Sequence, residues 1–215
     1  MREAFLDSSV IWAFVGPVRF EPHHAESVTL FDRTDVRRYT SRTVESEVRN
    51  SERQRDRLYA SLITHLREGR RPEEFPTGDL GRHLVHRARG LVRMIRKAEA
   101  DTEYFRRLTQ LEAARLREAF RRIEKPLVDS GKDVYFRDLL ISRLGLSQKD
   151  ASVVADFLLW SPGRTALSMV TLDNGMLRSV RQALDPLLED RLGSEGFARS
   201  GAFMTLTEML KTLPV

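Results

Sequence analysis

Two stretches of the chain are apolar almost without interruption, and both stop at a carboxylate. Ala4-Phe5-Leu6 runs into Asp7, and Ala166 to Leu172 runs into Asp173. Continuous apolar runs of this length, without alternation, read as buried strands of a parallel sheet. Val36 to Thr40 and Ala202 to Met204 are shorter strand candidates. Between these runs the apolar residues recur at spacings of three, four and seven, which predicts helices.

The punctuation follows the same pattern. Ser8 or Ser9 is placed to cap a helix starting near Val10, and Gly16-Pro17 ends it. A short helix is expected from Pro22 to Phe31. Ser41 opens a helix reaching about His65, followed by a break from Gly69 to Gly81. From Asp79 to Lys125 the sequence predicts one or two long helices, interrupted near Asp101 and stopped by Pro126. After a polar loop from Asp129 to Asp133, Val134 to Leu144 reads as a helix closed by Gly145. Ser147-Gln148-Lys149-Asp150 has the spacing of a capping box, and Ser161-Pro162-Gly163 ends the helix it opens. Asn174-Gly175 leads into a helix to about Leu184, then a polar loop from Gly193 to Gly196. Thr205 caps a last helix ending near Leu213. Strands alternating with helices make this an α/β chain.

Composition narrows the classes. At 215 residues the chain supports one sizeable core with an insertion. No apolar run approaches the roughly 18 residues of a membrane span, and the N-terminus lacks a secretory pattern. The absence of cysteine excludes disulfides and thiolate metal sites, and a cytoplasmic location is expected. The formal charge is +5, with arginine favoured over lysine. Residues 79–125 hold thirteen Lys or Arg against seven Asp or Glu, a surplus of six where the whole chain has five. That stretch fits a polyanion-gripping arm as well as a solvated helical hairpin or a dimerisation arm.

Asp7 and Asp173 end strands that a parallel sheet would bring to one edge. Asp150 lies in the first turn of the helix before the Asp173 strand, and Glu47 in the first turns of the helix after the second strand. Four carboxylates in one crevice repel one another, and a divalent cation offsets that cost. Hard oxygen ligands of this kind suit Mg²⁺ or Mn²⁺, and such a site suits phosphodiester hydrolysis.

Leu6-Asp7-Ser8-Ser9-Val10, Ser41-x-x-Val44-x-x-Glu47-Val48, Asp150-x-x-Val153-Val154-Ala155 and Val170-Thr171-Leu172-Asp173-x-x-Met176-Leu177 resemble, in order, the four acidic motifs of PIN-domain nucleases. The resemblance covers about residues 3–65 and 134–213. It implies a three-layer α/β/α fold with a central parallel sheet, here with an inserted basic helical arm at 79–125 within a single domain. It also implies an endoribonuclease that cleaves RNA with Mg²⁺ or Mn²⁺. Asp7, Glu47, Asp150 and Asp173 would be metal ligands or orient metal-bound water, with Ser9 and Thr171 supporting them. The alternative is a PIN-like RNA-binding or assembly module that no longer cleaves. The toxin-type members of the family raise an antitoxin-like protein as a partner, and a homodimer through the arm.

Two features depart from the family pattern. Asp156 stands where a small apolar residue is common, and reads either as a further acid supporting the site or, slightly favoured, as an exposed helix residue. The arm is longer than compact members need. Its Arg115, Arg117, Arg121 and Arg122 are the expected contacts to the RNA backbone.

Overall fold

The computed structural model describes every residue except Val18, Asp79, Gly81, Pro126, 130–132, 192–196 and Val215. The stop at Pro126, the middle of the 129–133 loop, the end of the break at Gly81 and the 193–196 loop expected from the sequence therefore lie outside the described residues. The chain divides into two compact units, one formed by Met1–Val48 with Glu118–Val215 and the other by Arg49–Arg117.

The first unit is built on a four-stranded, all-parallel sheet of β1 (Arg2–Leu6), β2 (Val36–Tyr39), β3 (Leu167–Thr171) and β4 (Phe203–Thr205), in the order β2-β1-β3-β4. The α/β class and the parallel sheet expected from the apolar runs are both observed. The outer edge of β2 is bridged by the returning chain, where Ser41 pairs with Val128 and Val128 N–H donates to Thr40 C=O at 2.9 Å.

Register places Tyr39, Phe5, Met169 and Phe203 in one row across the sheet. Helix α7 (Gln148–Trp160) covers that row. Its Phe157 packs edge-on against Phe5 at 5.6 Å and Phe203 at 4.9 Å, and its Trp160 lies 4.6 Å from the ring of Tyr39. Aromatic pairs in these offset and edge-on geometries add to the burial of their area. Helices α1 (Ser8–Val15) and α9 (Leu206–Lys211) pack against β3, with α2 (His24–Asp32) beside both. Helix α6 (Val134–Leu144) ends as expected at Gly145, which adopts φ +65°, and packs against α7 and α8 (Asn174–Arg191). A proline at position 186 does not end α8, because Leu187 and Leu188 continue its buried face while Pro186 itself is exposed.

Helix α3 (Arg42–Arg67) begins in the first unit and supplies most of its length to the second. There it is joined by a short 3₁₀ turn (Pro72–Glu74), α4 (Arg82–Arg96) and α5 (Thr102–Arg121), the last crossing back into the first unit. The expected interruption near Asp101 is present, with Asp101 accepting from Tyr104 N–H at 2.7 Å to cap α5. Inside this unit Leu58, Leu62, Leu91, Phe105 and Leu116 form an apolar core around a buried ion pair and a tyrosine. Arg87 donates to both Tyr59 and Glu112, and Tyr59 donates to Glu112 at 3.0 Å. All three are buried. Burial pushes the Tyr59 hydroxyl far above its ordinary range, so it stays a protonated donor.

Candidate active site

The strand order fixes where a crevice can open. The chain leaves β1 toward β2 on one side and comes back to β3 on the other, so the carboxyl ends of β1 and β3 form the switch point of the sheet. Ligands of open α/β sheets gather at such points. Asp7 and Asp173 are both there, each immediately or nearly after its strand.

Asp7 caps α1 and accepts from Ser8 N–H at 2.7 Å. The sequence pointed to Ser8 or Ser9 for that role; Asp is an equally good cap and stands one residue nearer the strand. Freed from capping, the Ser9 hydroxyl donates to the other Asp7 oxygen at 2.6 Å and accepts from Leu172 N–H at 3.0 Å. The Thr171 hydroxyl donates to the same Asp7 oxygen at 2.8 Å and accepts from Asp173 N–H at 3.0 Å. Ser9 and Thr171 thus tie the carboxylate of one strand end to the backbone after the other. Asp173 in turn accepts from Met176 N–H at 2.9 Å at the start of α8, which aims it while leaving it exposed. Asp7 is buried.

Glu47 and Asp150 approach from helix starts. Val44 N–H donates to the Ser41 hydroxyl at 3.2 Å, fixing the first turn of α3 and with it Glu47. Ser147 caps α7, accepting from Asp150 N–H at 3.2 Å and donating to the Asp150 carboxylate at 2.7 Å. This is only half of a capping box, because the shorter aspartate turns to the cap's hydroxyl rather than to its backbone. Burial raises the Glu47 carboxyl above its ordinary range, with the charge of Asp7 adding to it and that of Asp150 contributing less. Burial also raises Asp150, with Asp173 and then Asp7 adding to it while Ser147 opposes. Each of the four acids therefore takes part in a field with at least one of the others.

The side chains are not gathered tightly. Among the described residues, no three His, Asp or Glu side chains converge closely enough to hold one metal ion. In donor chemistry the four carboxylates match a hard divalent cation, whose charge would relieve the repulsion that lifts Glu47 and Asp150.

Ser8 and Lys149, neither of them expected beside the acids, belong to this edge. Both oppose the rise of the Glu47 carboxyl, Lys149 the more strongly, with its Nζ 4.0 Å from the carboxylate. A cation in the first turn of a helix opposes the helix dipole, and that mismatch was the legible signal for Lys149. Asp156 is buried in α7 rather than exposed. Six residues beyond Asp150 on a 3.6-residue helix, it does not share that residue's face.

The arginines chosen for RNA contact are unequally placed. Arg122 is paired with Asp32 and Glu118, and Arg121 with Glu118 at 2.7 Å. Arg117 is exposed, and Arg115 is half-buried.

Fold and site together define an α/β protein with a parallel sheet whose switch-point edge carries acidic side chains from two strand ends and two helix starts. No known family model, curated protein or solved structure matches the chain.

Proposed function

We propose that the protein is a metal-dependent endoribonuclease of the PIN type, built as a three-layer α/β/α domain, with Asp7, Glu47, Asp150 and Asp173 as its catalytic carboxylates. The observation that supports this reading is the hydrogen-bonded tie of Asp7 to the backbone of Leu172 and Asp173 through the Ser9 and Thr171 hydroxyls at the switch point of the sheet; Glu47 and Asp150, both raised chiefly by burial, also feel the charge of Asp7.

The four carboxylates would hold Mg²⁺ or Mn²⁺, which when bound supplies positive charge against the phosphoryl and leaving oxygens. The chain's own groups do the rest. Ser9 and Thr171 lock Asp7 so that its orientation does not depend on substrate. Glu47, raised by burial and next by the charge of Asp7, closes the site from the start of α3. Lys149 sits beside it as a counter-charge that a substrate phosphate can draw away.

One observation favours the second reading, a PIN-like module that binds RNA without cutting it: the side chains as placed do not converge on one cation position. Cleavage of an end-labelled single-stranded RNA in Mn²⁺ separates the two. The nuclease reading expects cleavage by the wild-type chain and loss of it, by about a thousandfold or more, in Asp173→Asn, with unfolding behaviour retained because Asp173 is exposed and asparagine keeps the oxygen that Met176 N–H needs. Absence of wild-type cleavage, or equal cleavage by the variant, refutes it.

A further inference from the structure

Helix α4 carries five arginines and not one carboxylate. Its buried side is made by Leu84, Arg87, Ala88, Leu91 and Met94, with Arg87 consumed by Tyr59 and Glu112. On the opposite side His86, Arg89, Arg93 and Arg96, with Lys97 just past the helix end, are all exposed. At 3.6 residues per turn, positions 86, 89, 93 and 97 fall on a single stripe, and 96 borders it.

Several exposed arginines on other elements have an acid at hand, as Arg106 and Arg121 do. On the stripe, Arg96 does among the described residues, through Glu73 at 2.9 Å. Arg89 and Arg93 form no ion pair among the described residues; the one side-chain bond of Arg93 is to the Arg89 carbonyl, at 3.5 Å. Lining up unneutralised guanidinium groups along one helix face costs self-repulsion. A partner with regularly spaced negative charge removes that cost.

We propose that the exposed stripe of α4, centred on Arg89 and Arg93, is the surface that binds the phosphodiester backbone of RNA. Guanidinium forks match phosphate oxygens in pairs, and contacts of this kind position a strand without reading its sequence. From Arg89 to Arg96 the helix advances about 10 Å, enough to meet several consecutive phosphates of one strand. An anionic membrane fits less well: the bulky apolar side chains of α4 are buried or half-buried, so the helix keeps no apolar face to lay into a bilayer. The surface lies wholly within the second unit. In naming where the RNA backbone is held, the proposal rests on the RNA reading above, but not on cleavage.

The test uses the full-length chain carrying Asp173→Asn, so that binding is measured apart from cutting. Fluorescence anisotropy of a labelled single-stranded RNA is followed across a salt series, with and without Arg89→Glu, Arg93→Glu and Lys97→Glu together. The expected result is a Kd at least about tenfold weaker and a salt slope smaller by about two, since each lost single-strand phosphate contact removes about 0.7 from it. Arg89→Gln with Arg93→Gln gives the same direction without reversing charge, and an unchanged circular dichroism melt shows that the fold persists. Unchanged affinity and slope in both variants overturn the proposal. So does retention on phosphatidylserine vesicles that RNA does not compete away. Wild-type chain that binds RNA through α4 but never cleaves it leaves this surface standing and removes the nuclease reading.

Discussion

Thr171 serves two strands at once. Its hydroxyl donates to Asp7 and accepts from Asp173 N–H, and it is completely buried. Removing it leaves a backbone donor without its acceptor and strips Asp7 of one of two hydroxyl partners. Thr171→Ala is expected to lower stability by about 1–3 kcal/mol in urea unfolding, with Thr171→Ser restoring most of the loss. A neutral alanine variant would mean the hydroxyl does not hold the site together. Ser9 and Thr171 were picked out in the sequence by the resemblance of the motifs around Asp7 and Asp173 to those of PIN-domain nucleases. Their connections were not. Asp7 as cap and Ser9 as donor exchange the roles that a cap-preference argument assigns, since Asp and Ser cap equally well and only the position of the strand end decides between them.

At the scale of elements, α4 ends in a way its sequence hides. Glu99 N–H reaches Met94 C=O and Ala98 N–H reaches Ile95 C=O, the paired bonds of a Schellman close, and Ala98 takes the left-handed conformation at φ +55°. Glycine normally stands there. The left-handed form costs an L-residue about 1–2 kcal/mol, against roughly 0.5–1 kcal/mol for the added freedom of a glycine in the unfolded chain. Ala98→Gly should therefore stabilise the protein by about 0.5–1 kcal/mol, read as a higher denaturation midpoint at unchanged slope; a lower midpoint would contradict the strain argument. Other element ends were plain from the sequence because their residue types are specific: Gly145 closes α6, and Thr205 with Glu208 makes a complete capping box for α9. The continuation of α8 past Pro186 was not plain, because burial of Leu187 and Leu188 outweighs a local cost that sequence alone makes decisive.

For the whole molecule, the parallel sheet and its acid-tipped strands followed from two apolar runs. The division into units did not. Helix α3 passes from one unit to the other between Val48 and Arg49 without a turn, and no glycine, proline or change of pattern marks the crossing. The spacing of the acids was equally hidden, because it depends on strand register and helix approach rather than on distances along the chain. Two opposing pH dependences follow from the charges. Glu208 is held down to about 2 by Arg181, with the Thr205 cap adding to it, so it favours the fold above the ordinary glutamate range and that contribution fades as pH falls toward 2. Glu47 and Asp150 are raised, so their ionised forms disfavour the fold near neutrality, and that penalty disappears as pH falls through their raised values. A divalent cation bound there would relieve the same repulsion as protons and would compete with them.

Isothermal calorimetry of Mn²⁺ binding tests that shared site most directly. The account predicts binding by the wild-type chain at pH 7, weaker binding at pH 5, and a loss of at least about tenfold in affinity for Asp7→Asn and for Asp150→Asn. No binding at pH 7, or binding indifferent to both substitutions, would show that the four carboxylates do not form one cation site.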